Sequence, residues 1–477
     1  MIRRVSFLII CSIHITLCTH AQTQTQQQTI VPPPPRTLSP SSDQRQKQAP
    51  APGAQPTDSS QNLTLEQCIA YALANQPAIK QSLIGVSIAR TTNAIALSGW
   101  LPQVNGAGNV THYITQPTTF VTNSSGQVTP QKTAVINTVI PELTATQSIF
   151  NPQLLYAAKS APLYIKQAQQ VTDSAQIELV TNVTLAFYNL LQTLQEIDVL
   201  KEDTALLTKT ASDTYHQWKS GVSDETDYDE AVISLNNALA QLKQVLENIT
   251  PQYATLKQLM GFPPVNQFNV AFDTVKMMDD IAFDTTEQLQ FEKRIEMQQL
   301  HTSMSLQQRQ TEYYRLAWLP TLSAFFDYDY EFQNNSTSEL FKTAYPYSLV
   351  GLTLNIPIFT GFSRLESVRR SRLQEDLLDW SEVNLKNQIY SDYTTAMSTY
   401  KYNLYNMKEL SVNKALATRV YDIVTLQYRQ GIVPYLNVIT AQSNLISAEI
   451  GYINALFTVL SSKVSLEKAM GDITVKP

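Results

Sequence analysis

The chain has 477 residues, 43% of them hydrophobic and only 16% charged, with a formal net charge of −6. Soluble globular chains carry about 25% charged residues, so charge is short here while apolar content is ordinary, and Gln, Asn, Ser and Thr fill the gap. Mean hydropathy is −0.17 and no run of about 18 apolar residues lies beyond the N-terminus, which argues against a bundle of membrane-spanning helices; 34 basic against 40 acidic residues offer no basic face for nucleic acid.

In chain order, Met1-Ile2-Arg3-Arg4 is basic, Val5 to Cys18 is apolar, and Thr19-His20-Ala21 supplies small residues at the −3 and −1 positions. That pattern predicts a secretory signal peptide over 1–21, cleaved before Gln22. Removal would take the net charge to −8 and leave Cys68 as the one thiol, so an exported chain would rely on burial and not on disulfides. Residues 22–58, with Pro32-Pro33-Pro34-Pro35 among Gln and Ser, cannot bury enough surface to offset their ordering entropy and read as a disordered leader.

From there the sequence repeats itself. Leu256, Lys257, Met260 and Gly261 recur as Leu466, Glu467, Met470 and Gly471, and Trp218-x-x-Gly221 recurs as Tyr428-x-x-Gly431. Phe150-Asn151-Pro152 recurs as Phe359-Thr360-Gly361, and Trp100-Leu101-Pro102 as Trp318-Leu319-Pro320. The ordered markers predict two repeats, 59–265 and 266–477, the first with a longer loop between its Trp-Leu-Pro and Phe markers.

Each repeat opens with period-two sequence. Over 321–332, Leu322, Ala324, Phe326, Tyr328, Tyr330 and Phe332 alternate with Thr321, Ser323, Asp327, Asp329 and Glu331, with Phe325 out of place. Over 348–358, Val350, Leu352, Leu354, Ile356 and Ile358 alternate with Gly351, Thr353 and Asn355. Such alternation predicts strands with one apolar and one polar face; weaker counterparts lie at 103–115 and 134–149. A long helix then follows in each repeat, 153–220 and 362–430. Ile389, Tyr393, Ala396, Tyr400, Leu404, Met407 and onward to Tyr421, Val424 and Tyr428 keep alternating spacings of three and four, with Lys414 in one slot. The first repeat matches it from Leu179 to Trp218, with Thr204 and Thr214 as polar slots. This is a coiled-coil seam, on helices of about 100 Å. Gly221 and Gly431 end them as C-cap glycines, and helical sequence resumes by 226 and 436.

Strands of this length, each apolar on one face, suit a transmembrane barrel, whose strands need about 9–11 residues, while a hairpin packed on a soluble core alternates in the same way. Four strands cannot close a barrel, and open edges are not tolerated in lipid, so partners are required. The aromatics near the strand ends (Tyr328, Tyr330, Phe332, Phe341, Tyr345, Tyr347) suit an interfacial girdle.

The arrangement resembles the TolC-like outer-membrane efflux factors over about 63–471. The resemblance rests on the strand-entry markers Trp100, Pro102, Trp318 and Pro320, the exits Phe150 and Phe359, the Trp/Tyr-x-x-Gly helix ends and the two Met-Gly pairs. It implies a mostly α protein with a transmembrane β part. Long α-helical hairpins would form the tunnel of a homotrimer, continued by a barrel of twelve strands, four from each chain. The short helices, about 64–99 and 226–260, would stack end to end beside each long one. Its partners would be outer-membrane lipid, a periplasmic adaptor (membrane fusion protein) and, through it, an inner-membrane transporter. The adaptor-docking tips would be Ser220, Gly221, Val222 and Gln430, Gly431, Ile432. Closure would rest on Tyr428 bonding to Asp227. The family's companion arginine falls on Val433, and its acidic constriction pair on Asn437 and Thr440, both uncharged; Asp227 and Glu230 hold the equivalent offsets in the first repeat. Those acids equally suit a helix N-terminus, where the macrodipole favours negative charge.

Catalysis has no support. His112, His216 and His301 are far apart, the chain has 13 Gly and no glycine-rich phosphate loop, and clustered metal ligands are lacking; no cofactor is expected. The rival reading is a periplasmic coiled-coil adaptor or scaffold without a channel, which explains the helices and the export signal but not the strands.

Overall fold

The computed structural model describes residues 62–475 except 123, 125, 272–280, 284–287 and 474; the signal peptide and leader expected over 1–58 lie outside the described residues. Strand β1 (Asn62–Leu63) pairs in parallel with β6 (Asn269–Val270). Helix α1 (Leu65–Asn75) begins at a capping box, the Thr64 hydroxyl accepting from the Gln67 amide while Gln67 Oε1 accepts from the Thr64 amide. The single helix expected over 64–99 is in fact two. Pro77 has no amide hydrogen and drives the preceding residue out of the helical region, so Gln76 adopts φ −61° and ψ 123° and α2 runs separately over Pro77–Leu97.

The strands are β2 (Gln103–His112), β5 (Asn137–Phe150), β7 (Thr321–Asn334) and β8 (Ala344–Asn355), joined in one antiparallel sheet of order β2-β5-β7-β8. All four expected strands exist, with ends shifted by several residues. β8 starts earlier, at Ala344, because an edge strand tolerates Pro346. It stops at Asn355, short of the expected 358; Pro357 follows two residues later. The long first loop holds an unforeseen hairpin, β3 (Thr118–Thr122) with β4 (Val128–Lys132). The ladder between β5 and β7 joins the N-terminal and C-terminal halves of the chain.

Helix α3 (Pro152–Lys219) has 68 residues and turns back as α4 (Glu225–Met260); α6 (Ser363–Arg429) has 67 and turns back as α7 (Tyr435–Met470). Pro162 is accommodated inside α3. A further helix, α5 (Ile295–Leu316), leads into β7 and packs on α3 and α6; the sequence reading did not single it out. Thr204 and Thr214, the polar slots of the seam, are buried and return their hydroxyls to carbonyls of their own helix. Lys414, the corresponding slot in α6, reaches Glu449 on α7 at 3.5 Å.

The main core lies midway along the long helices, where α1, α3, α4, α6 and α7 converge on Val183, Leu190, Leu256, Tyr400, Phe457 and Leu460. Cys68 is wholly buried there, and burial pushes its thiol up to about 12. Helix α7 is long and apolar enough to cross a bilayer by length and composition; Phe457, Val459, Leu460 and Leu466 instead pack in this core.

Gly261 and Gly471 close α4 and α7 at φ +66° and +80°, and both are crowded. A Cβ on Gly471 would sit 2.9 Å from the Lys293 carbonyl carbon, and one on Gly261 would sit 3.0 Å from the Asn75 carbonyl oxygen. Gly221 shares the left-handed conformation, at φ +74°, but faces open space. G221A is therefore expected to cost about 1–2 kcal/mol, the conformational penalty alone, and G471A clearly more, because backbone must also move. Melting midpoints in detergent check this, and equal shifts for the two variants would contradict it.

Candidate functional site

Two regions carry the chemistry: the sheet and the tips of the helical hairpins. In the sheet, residues directly opposite one another share a face, so the register decides whether four separate alternations make two coherent surfaces. They do. One row across all four strands reads Val104, Ala145, Phe326, Val350, and another Val110, Val139, Phe332, Ala344. On the opposite face one row reads Asn105, Thr144, Asp327, Leu349, and the next Ala107, Glu142, Asp329, Tyr347. The apolar face is uncovered, with Val350 79% exposed. A contiguous bare apolar surface of this kind marks a contact with something apolar, and among the described residues the outer strands β2 and β8 have no further strand paired along their edges.

Phe325, the residue that broke the alternation, is explained by its neighbour. It pairs with Gly351, and a Cβ on that glycine would lie 2.5 Å from the Phe325 ring. The ring fills the glycine's missing side-chain volume on the polar face, as aromatics do beside strand glycines.

The expected entry and exit markers all sit where strands meet helices. Trp100 ends a short 3-10 turn and its carbonyl accepts from Gln147 Nε2 at 3.3 Å; Pro102 and Pro320 directly precede β2 and β7. Phe150 is placed opposite Leu322 by a bulge after Ser148. Trp318 and Phe359 are exposed.

At the other end of the long helices, both turns use one hydrogen-bond pattern. The amide of Gly221 donates to the Trp218 carbonyl and that of Val222 to Gln217; Gly431 donates to Tyr428 and Ile432 to Gln427, each at 2.9–3.0 Å. Both glycines sit at φ +74°, the left-handed cap that satisfies the last carbonyls of a helix. Ser220 ties its hydroxyl to the His216 and Gln217 carbonyls, Gln430 donates its amide to Leu426, and Val222 and Ile432 project as exposed apolar residues at the two apices.

The tips are held side by side by a small cluster of Ala211, Ala231, Tyr435 and Val438, with Tyr421, Val424 and Tyr428 packed on it. Across the junction the Tyr428 hydroxyl donates to Gln217 Oε1 at 3.1 Å; the resemblance had implied Asp227 in that place. Asp227 still acts on this hydroxyl at longer range: burial first, then the negative charges of Asp227 and Asp213, raise its pKa. Asp227 and Glu230 stand in the first turns of α4 and their charges also reach the Tyr435 hydroxyl. That hydroxyl, on a residue 2% exposed, has no hydrogen-bond partner among the described residues, and burial pushes its pKa up strongly. Tyr435 was missed in the sequence, although an aromatic seven residues after Tyr428 is a visible signal. Also missed was a second seam on α6: Tyr402, Tyr405, Glu409, Val412, Leu416, Arg419, Ile423 and Leu426, at alternating spacings of three and four and exposed throughout.

The sequence profile of the outer membrane efflux protein family matches residues 68–262 and 288–472. The antibiotic efflux pump outer membrane protein ArpC and the toluene efflux pump outer membrane protein TtgC, both of Pseudomonas putida, are each 24% identical over 417 residues, 85% of this chain and 82% of theirs. Among solved structures, the Campylobacter jejuni CmeC outer membrane channel superposes with a TM-score of 0.69 at 18% identity, covering 86% of this chain and 85% of its own. VceC of Vibrio cholerae gives 0.66 at 15% identity, covering 85% and 96%. The chain belongs to the outer membrane efflux protein family; it is an outer-membrane efflux channel protein, and the reading as an adaptor without a channel gives way.

Two substitutions separate the hydroxyls at the tip junction. Tyr428→Phe removes a hydrogen bond and strands Gln217, with an expected loss of about 1 kcal/mol. Tyr435→Phe removes a buried hydroxyl without a partner and is expected to leave stability unchanged or raise it. Thermal unfolding of the two variants checks the order, and a reversal would contradict this account of the junction.

Proposed function

We propose that this outer membrane efflux protein acts as one third of a homotrimeric channel in a tripartite efflux or type I secretion system. The uncovered apolar face of the sheet carries the reading. Its rows are coherent across four strands, its edge strands are unpaired, and in lipid such edges must be closed by further strands. Three copies supply a barrel of twelve strands whose polar face lines the pore. The exposed second seam on α6 supports assembly with other copies, because a stripe at heptad spacing suits a covering helix from a neighbour.

The two repeats, 59–265 and 266–477, each contribute a strand pair and a long helical hairpin to barrel and tunnel. Substrates pass through passively. The exposed turns Ser220-Gly221-Val222 and Gln430-Gly431-Ile432 dock a periplasmic adaptor, which links the channel to an inner-membrane transporter; their apolar apices suit such a contact. Tyr428, with Asp227 and Glu230, governs the aperture at this end. Threefold symmetry turns whichever acids face inward into a ring that favours cations.

Fractionation tests the assembly. An SDS-resistant or cross-linked trimer in the outer-membrane fraction is expected, and a monomer in the soluble periplasm would overturn it. Ile423→Glu, toward the tip end of the exposed seam, should abolish the trimer without unfolding the chain. For the aperture, Asp227→Ala combined with Glu230→Ala should lower cation selectivity in bilayer recordings, whereas unchanged selectivity and opening would reduce these acids to helix caps.

A further inference from the structure

The junction between sheet and helices differs between the two halves in a way that assembly of a channel does not require. After β5, the chain enters α3 by an ordinary route: Asn151 caps the helix, accepting from the Gln153 amide at 2.9 Å, and Pro152 occupies the first position. After β8, the chain enters α6 through Gly361 at φ +58° and Phe362 at φ +64°. Phe362 is the one non-glycine residue with positive φ among the described residues, and its side chain makes no capping bond to α6. A bulky residue in this conformation is strained. Arg364 fixes the loop, donating from Nη2 to the Pro357 carbonyl at 2.7 Å and from Nε to Thr360 Oγ1 at 3.1 Å.

What the strain achieves is the display of an aromatic ring. Phe362 is 68% exposed and packs edge-on against Phe359, their centroids 5.7 Å apart. The apolar face of β8 runs on through Ile356 and Ile358, the latter 90% exposed, into Phe359, Phe362 and Leu365. The surface that meets lipid therefore continues past the end of the strand onto the first turn of α6.

Directly beyond it, charge is sorted by height. Over 364–372 helix α6 carries Arg364, Arg369, Arg370 and Arg372 against Glu366, a net charge of +3; over 373–382 it carries Glu375, Asp376, Asp379 and Glu382, a net charge of −4. Arg369, Arg370 and Arg372 are exposed. Arg369 has only a 3.9 Å approach to the exposed Glu366, and Arg370 a 3.3 Å bond to the Tyr314 hydroxyl. At 1.5 Å per residue the backbone of Arg369, Arg370 and Arg372 lies about 6–11 Å below that of Leu365, so these long side chains can reach a headgroup layer about 5–8 Å thick beneath the hydrocarbon core.

We propose that this collar binds anionic phospholipid headgroups of the periplasmic leaflet of the outer membrane, with Phe359 and Phe362 seated at the hydrocarbon boundary and Arg369, Arg370 and Arg372 on the phosphates. The proposal rests on the channel reading above. Basic residues beside an anionic leaflet gain about 1 kcal/mol each, which is about fivefold in partition per arginine.

The test uses the full-length wild-type trimer and the R369Q/R370Q/R372Q variant, in nanodiscs of phosphatidylcholine with or without phosphatidylglycerol. Native mass spectrometry reads retained lipid, and SDS gels read the temperature at which the trimer dissociates. Wild type is expected to enrich phosphatidylglycerol and to dissociate at a higher temperature in its presence. The variant should lose that enrichment at least fivefold while keeping its trimer in pure phosphatidylcholine and its single-channel conductance. Equal enrichment in both proteins would overturn the proposal. So would altered ion selectivity or a lost trimer in phosphatidylcholine, which would put the arginines in the lumen or against a neighbouring copy. Added salt must weaken the wild-type enrichment, a second readout that needs no variant; enrichment indifferent to salt also overturns it. A wild-type chain that never forms a trimer would sink the channel reading itself, and this one with it.

Discussion

An antiparallel sheet with one bare apolar face and two unpaired edges is an unfinished object. In water its apolar rows are costly, and in lipid its free amides and carbonyls are costlier still. Every other feature follows from that constraint. The β5–β7 ladder joins the two halves of the chain into one sheet, and β2 and β8 form its edges. The long helices extend the same incompleteness away from the sheet, since α6 buries one seam against its own chain and exposes a second.

The shortage of charge now has a physical setting. Among the four strands of this sheet, carboxylates fall on the polar face only: Asp327, Asp329 and Glu331 on β7 and Glu142 on β5, with Glu142 directly opposite Asp329. Elsewhere, hydroxyl and amide side chains do the work that charges do in a soluble protein. Thr204 and Thr214 sit in the seam by returning their hydroxyls to their own backbone, and Gln442 reaches across from α7 to the buried Asp203 on α3 at 2.6 Å. The threonines thus satisfy buried positions without the desolvation cost of ions, and the Gln442 amide gives the buried Asp203 carboxylate a partner.

At the tips the arrangement depends on conformation more than on contact. Gly221 and Gly431 have open space where a side chain would stand, so their role is the left-handed turn that reverses each helix. The junction between hairpins is then made by a small cluster, Ala211 and Ala231 against Tyr435 and Val438, and by a hydrogen bond from Tyr428 to Gln217. This junction is separate from the main core, which lies tens of residues away along each helix.

Periodicity was legible in the sequence because it is local. Period two announced the strands, spacings of three and four announced the long helices, and each glycine marked its helix end, since these depend only on neighbours along the chain. The break at Pro77 was equally local, yet helical sequence on both sides hid it. Pairing was a different matter. That β5 joins β7, that Gly351 is the reason for Phe325, and that Tyr428 reaches Gln217 are relations between residues distant in the chain, invisible to any window along it. The second seam on α6 was hidden by the first, because two stripes of one period on one helix read as general apolarity. The sequence by itself therefore determined the elements and the repeated order of their markers, through steric and hydrophobic patterns that act between near neighbours. Only the tertiary structure decided which faces are covered and which stay bare, because burial is a property of the packed chain and not of the segment.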